Sequence, residues 1–328
     1  MKAAVLEGPG ELAVRDVPDP VAADGEALLQ VAACGLCGSD LTLLKGGYPA
    51  GAVMGHEGAG RILSAPWGSG LDEGDLIAIR PMAFCGRCAF CTSGRGELCP
   101  EGVANGLVFS RPGAFAERIA VPAEWCSKVD AADPVDATFA DPLAVSLHAV
   151  ARAGRTGVPA AIVGLGAIGL ATLTGALLEG LGPVAGVDPI ETKRELAMKA
   201  GAVVAVAPGE DGALERGLGG PPQVVFECTG RAEAVQQAIG LAATGGVVVL
   251  VGIAPEVRIL PIVMMPKQVD LLASFCYTPD EWDRAVGHIR EGRAEVRSHV
   301  DVRVPLEGLP DAARDFADGK VTKVVALP

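Results

Sequence analysis

The chain has 328 residues, 50% of them hydrophobic, and a formal net charge of −13. That length exceeds one comfortable hydrophobic core and points to two domains, while acidic groups scattered along the whole chain argue against a nucleic-acid groove or an anionic membrane surface as partner. No apolar run long enough to span a bilayer stands outside a glycine-broken segment near 158–178, and no cationic and apolar leader follows Met1, so neither a membrane span nor an export signal is expected.

The first hundred or so residues carry short β-type runs at Ala3–Leu6, Glu26–Ala33, Gly58–Leu63, Asp75–Ile79 and Ala114–Val121, punctuated by Gly, Pro and Asp. This pattern suits a rolled, antiparallel β domain. Within it, Cys37-Gly38-Ser39-Asp40 and Gly55-His56-Glu57 place one thiolate and one imidazole on separate turns, a pair of ligands suited to an open zinc site. Next comes Cys85-x2-Cys88-x2-Cys91-x7-Cys99, where three closely spaced thiolates and one reached across a short loop can close a tetrahedral shell. Such a set holds a structural zinc, leaves no open coordination position, and would stabilise a loop or a subunit contact. Cysteines grouped this way in a chain without an export signal favour metal ligation in a reducing, cytoplasmic setting over disulfides.

From about Leu143 the pattern changes to helices alternating with runs at Ala160–Val163, Val184–Val187, Val203–Val206, Val224–Phe226 and Val247–Val251. Strand and helix in alternation imply a doubly wound parallel sheet. Gly164-Leu165-Gly166-Ala167-Ile168-Gly169 follows the first of these runs and opens a helical stretch, so its glycines sit where a tight turn and close phosphate approach are required. Asp188 closes the next run, where a carboxylate grips a ribose 2′-hydroxyl and repels a 2′-phosphate; NAD is therefore expected in preference to NADP. Lys193 and Arg194 pull the other way, or simply form a solvated helix face. A helix is expected at Pro279–Arg290, and a last strand-like run, Lys323–Leu327, is expected to return to the first domain. Cys34, Cys126, Cys228 and Cys276 read as packing residues, and His148, His288 and His299 as packing or surface residues. Met264 and Met265 suggest a core or subunit contact.

The order of these motifs over nearly the whole chain resembles the zinc-dependent medium-chain alcohol dehydrogenase superfamily, which includes sorbitol, butanediol and threonine dehydrogenases. The resemblance implies a GroES-like, mainly antiparallel β catalytic domain over 1–145 and 277–328 with a zinc lobe near 84–100, and a Rossmann NAD-binding domain over 146–276. It implies that Cys37 and His56 ligate a catalytic zinc, that Asp40 orients the histidine, and that Ser39 relays the departing proton. Glu57 or Asp141 completes the zinc shell; Asp141, followed by Pro142, reads equally well as a helix N-cap. Lys323 matches a basic residue near the cofactor pyrophosphate, or is a surface lysine. The implied activity is hydride transfer between an alcohol or ketone and NAD, with two zinc ions per chain, in a cytoplasmic homodimer or homotetramer.

Two departures from the family stand out. Thr42 replaces a histidine that many relatives carry at the end of the proton path, and it cannot titrate near neutral pH. Cys276 stands where polyol-type relatives carry arginine, which favours a less polar secondary alcohol or hydroxyketone as substrate. Two rival functions remain: a zinc-free NADPH quinone or enoyl reductase, disfavoured by Cys37, His56 and the four-cysteine lobe, and a non-catalytic sensor of NAD and zinc.

Overall fold

The computed structural model describes all residues except Gly47, Tyr48, Ala132, Pro255 and Glu295, and omits the side chain of Lys45. Lys2–Gly8 (β1) and Glu11–Asp16 (β2) form an antiparallel ribbon turned at Gly10, which takes the positive φ that the tight reversal requires. Glu26–Gly35 (β3) buries Ala27, Leu29, Val31 and Ala33 on one face, the period of two expected of a strand lying on a core. Its end leads through Cys37 into the helix Gly38–Lys45. Glu57–Ser64 (β4) pairs antiparallel with β3 and with Leu76–Ile79 (β5). Arg118–Pro122 (β6) pairs with β3, and Cys126–Lys128 (β7) with β5.

The expected strand Ala114–Val121 is divided. Its first half serves other partners: the Phe115 carbonyl accepts the Ala4 N–H, the Phe115 N–H donates to the Met54 carbonyl, and Ala116 bridges to Ala3, so regular pairing with β3 begins only at Arg118.

The second unit is a parallel sheet built from Ala160–Val163 (β8), Val184–Val187 (β9), Val204–Val206 (β10), Val224–Glu227 (β11), Val247–Leu250 (β12) and Asp270–Ala273 (β13). Their order is β10-β9-β8-β11-β12-β13, all parallel, so the chain winds one way from β8 to β10 and the other way from β11 to β13. Alternate residues serve opposite faces. Ile162, Val184, Phe226 and Val249 enter one apolar cluster, and Val163, Val187, Val225 and Val248 the other. Both faces are therefore covered, which is why these strands read as continuous apolar runs instead of alternating ones.

The helix Pro279–Arg290 starts at a capping box in which Thr278 and Glu281 exchange hydrogen bonds, with Pro279 at the first helical position. Val302–Pro305 (β14) and Val324–Leu327 (β15) then return to the first unit, where the sheet runs β14-β15-β3-β4-β5-β7 with β6 also on β3. The two compact units are Met1–Asp141 with Thr278–Pro328, and Pro142–Tyr277. The fold is thus a GroES-like, largely antiparallel β unit plus a Rossmann-like parallel one. Among the described residues no helix is long and apolar enough to cross a membrane.

Candidate metal and dinucleotide sites

Cys37 lies at the end of the β3 turn and starts a helix; His56 and Glu57 enter β4, which is paired to β3. That pairing brings one ligand atom from each of Cys37, His56 and Glu57 within 4.8 Å of one another. Asp40, fully buried, ties the two turns together: one carboxylate oxygen accepts the Cys37 backbone N–H at 3.0 Å, and the other lies 3.1 Å from His56 Nδ1. With Nδ1 turned to Asp40, Nε2 is the atom free to ligate, and the carboxylate fixes both ring orientation and tautomer. Ser39 Oγ stands 3.4 Å from that Nε2. Burial disfavours charge on His56, yet Asp40, by charge and hydrogen bond, and then Cys37 outweigh it and push its pKa well above the ordinary range. Surroundings that favour a proton on the ring favour a cation beside it. A sulfur, a nitrogen and a carboxylate oxygen make a donor set that fits zinc and leaves a fourth position open.

Glu57 has a second partner. Lys323 Nζ pairs with its carboxylate and donates to the Leu36 carbonyl at 3.2 Å, while lying 5.5 Å from the centroid of the Phe139 ring. The two side chains are 1% and 2% exposed. Burial opposes the ammonium charge, but Glu57, then Cys37 and Asp40, raise its pKa above the usual lysine value. The alternative of Lys323 as a surface lysine is corrected here: the residue is buried and its ammonium is paired with Glu57. A Cβ at Gly35 would stand 2.0 Å from the Glu57 carboxylate, so only glycine there admits the pair. Asp141 is buried in the first turn of the helix Ala140–Ala153 and lies outside the three-residue ligand group. Thr42, exposed, turns its hydroxyl back to the Gly38 carbonyl at 3.4 Å.

Cys85, Cys88, Cys91 and Cys99 form the second ligand group, again with all ligand atoms within 4.8 Å. Cys85 and Cys91 sulfurs are 3.9 Å apart, near the edge of about 3.8 Å that a tetrahedron with metal–sulfur bonds of about 2.3 Å requires. The Cys88 and Cys91 backbone N–H groups point at the Cys85 and Cys88 sulfurs, each at 3.4 Å. The Arg87 and Cys88 backbone N–H groups lower the Cys85 thiol to about 6, whereas burial pushes Cys91 up to about 12. Burial likewise raises Cys126 and Cys228 to about 12, in keeping with packing roles.

In the parallel unit, Gly166 caps the helix Ala167–Leu178. A Cβ on Gly169 would fall 1.8 Å from the Gly164 carbonyl and one on Gly164 2.3 Å from the Thr229 methyl, whereas one on Gly166 would meet nothing within 4 Å. Two glycines thus permit the close turn, and the third leaves open space at a helix N-terminus, which fits a pyrophosphate. Ile168 is half-buried on the same turn. Asp188 is buried and accepts N–H bonds from Leu165 and Ile190, each at 2.8 Å, so its carboxylate is fastened to the glycine loop. Lys193 is half-buried on the next helix, and Arg194 donates to the Asp188 and Pro189 carbonyls. Sequence reasoning passed over Glu227, a carboxylate with 0% exposure at the end of β11. Its signal was an acid closing an apolar run just before Cys-Thr-Gly.

Both units match described families. The alcohol dehydrogenase GroES-like domain matches residues 23–131, and the zinc-binding dehydrogenase domain residues 167–291. The chain belongs to the zinc-type medium-chain alcohol dehydrogenase superfamily. Sorbitol dehydrogenase of Bacillus subtilis (strain 168) is 30% identical over 95% of this chain and 92% of its own length. L-arabinitol 4-dehydrogenase of Aspergillus niger is 30% identical over 92% of this chain and 84% of its own. Among solved structures, a protein of Sinorhizobium meliloti 1021 described as a zinc-binding dehydrogenase and bound to NADP superposes with a TM-score of 0.90 at 34% identity, covering 100% of this chain and 99% of that one.

Proposed function

We propose that this chain is a zinc-dependent dehydrogenase that exchanges a hydride between a secondary alcohol, hydroxyketone or polyol and NAD. The observation that carries this reading is the three-donor group Cys37, His56 and Glu57, with His56 held by Asp40 and Ser39 hydroxyl beside its Nε2. Zinc in that group supplies Lewis acidity toward a hydroxyl oxygen, and the dinucleotide supplies the hydride acceptor. The chain's own residues do the rest. Asp40 keeps the imidazole in its ligating tautomer; Lys323 balances Glu57 from behind; Ser39 takes the hydroxyl proton; and since Thr42 cannot hold that proton, it leaves through water or another carboxylate. The second zinc belongs to the four-cysteine lobe, giving two per chain.

NAD is favoured over NADP because Asp188 places a fixed negative charge at the end of β9. The assembly we propose is a homodimer or homotetramer acting in the cytoplasm. The deciding experiment incubates zinc-loaded protein with NAD or NADP and a panel that includes sorbitol, L-arabinitol and simple secondary alcohols, following absorbance of the reduced nicotinamide. Ser39→Ala should slow alcohol oxidation by a factor on the order of 10²–10⁴. Binding of dinucleotide and zinc with no turnover of any alcohol would favour a sensor and refute the proposal.

A further inference from the structure

The strand order fixes where the two halves of a dinucleotide must lie. The sheet reverses direction between β8 and β11, and ligands of such sheets bind outside the carboxyl ends of the strands at that point. The glycine loop after β8 takes the pyrophosphate, and Asp188, at the end of β9, marks the adenosine side. The remaining half therefore runs the other way, over the carboxyl ends of β11 and β12. Those ends are the turns Cys228–Gly230 and Val251–Ile253.

Glu227 lies beneath both turns. Its carboxylate accepts the Thr229 backbone N–H at 2.7 Å, the Thr229 hydroxyl, and the Gly230 N–H at 3.1 and 3.2 Å to its two oxygens. Its backbone carbonyl accepts the N–H groups of Val251 and Gly252, each at 2.8 Å. Among the described residues no lysine, arginine or histidine pairs with it, and every contact to its carboxylate comes from a donor. The turns themselves are in close contact. A Cβ on Gly252 would lie 2.1 Å from the Gly230 nitrogen, and one on Gly230 2.4 Å from the Ile253 carbonyl, while Thr229 packs on Gly164 across the reversal point. A buried carboxylate without a cation is expensive to keep unless it holds something in place. Here it holds the wall of the crevice opposite Asp188.

We infer that Glu227 is a positioning residue for the half of the dinucleotide beyond the pyrophosphate, acting through the Thr229–Gly230 turn. The inference rests on the dinucleotide reading. It is tested by measuring the affinities of the full-length protein for NADH, by fluorescence titration, and for AMP, by calorimetry. AMP reaches only the adenosine side. Glu227→Gln should weaken NADH binding by on the order of tenfold to a hundredfold, the scale of lost hydrogen bonds to a charged group, and leave AMP affinity unchanged. Thr229→Val, which keeps the Glu227 carboxylate and its bonds from the Thr229 and Gly230 N–H groups but removes the hydroxyl that bonds Glu227 and accepts the Arg231 N–H, should produce the same split at a smaller size, and it decides the matter if Glu227→Gln does not fold. Parallel loss of NADH and AMP would show that Glu227 only holds the unit together and would overturn the inference, as would unchanged NADH affinity. Wild-type protein that binds neither ligand would instead refute the dinucleotide reading itself.

Discussion

Replacing Lys323 by Met should unfold the β unit far more readily than its distance in sequence from the ligands suggests. The change leaves the Glu57 carboxyl 2% exposed and without its cation. Removing one partner of a buried pair costs about 3–5 kcal/mol, because the surviving charge has lost both water and counter-ion. Glu57→Gln should cost a similar amount by stranding the ammonium against Leu36 and Phe139. In the double variant neither charge remains, so its loss should be well below the sum of the two. The assay is urea unfolding with zinc chelated, read by tryptophan fluorescence. Trp67, Trp125 and Trp282 all lie in the β unit, so the signal reports that unit alone. For a slope of about 2 kcal/mol per M, the Lys323→Met midpoint should fall by about 2 M. Zinc-loaded variant should lose less, since Glu57 can then turn its charge toward the metal. A midpoint shift below about 0.5 M, or strict additivity of the two single changes, would refute the coupling.

Elemental analysis should find two zinc ions per chain, falling to one in Cys91→Ser, with a loss of stability in the β unit that Cys37→Ala does not share. Asp188→Gly should narrow or reverse the preference for NAD over NADP in kcat/KM; a wild-type preference for NADP would show that Arg194 or Lys193 outweighs the carboxylate. Glu26, whose pKa is lowered by the Ala23 N–H and then by Arg111, should stabilise the fold above the unfolded carboxyl value of about 4.3 and cease to do so as pH falls through its lower folded value. Glu26→Gln should therefore be about 1–2 kcal/mol less stable than wild type at pH 7, with the gap closing in acid. A gap that persists at pH 3 would assign the loss to packing.

Both architectures were legible because each motif is local. The apolar runs at 160–163, 184–187, 224–226 and 247–251 lie on or beside strands of the parallel sheet, and the expected helix Pro279–Arg290 is present. The short strands Glu11–Asp16, Cys126–Lys128 and Val302–Pro305 were not anticipated, since they are held by pairing and not by a strong pattern of their own. At the sites, the four cysteines stand out by their spacing, and Gly164–Gly169 by its place between an apolar run and a helical stretch. Lys323 could not, because its partner lies 266 residues away and a lysine next to a terminal strand ordinarily faces water. Glu227 was hidden for a related reason: the run Val224–Phe226 marks where an acid closes a strand but not which way its side chain turns.

The place of β15 bears on the order in which the protein acquires its parts. This strand lies between β14 and β3, not at a sheet edge, and Lys323 immediately precedes it. The parallel unit is one continuous stretch of chain and can close as soon as it leaves the ribosome. In the β unit β4 and β6 can already pair with β3, but Cys34 and Gly35 at its end must wait for Ala326 and Val325. At synthesis rates of about 5–20 residues per second, that leaves Glu57 without its counter-charge for roughly ten to fifty seconds. During that interval Cys34 and Gly35 lack their partners in β15, and a polypeptide cut short before Lys323 would carry a finished parallel unit and a Glu57 without its counter-charge.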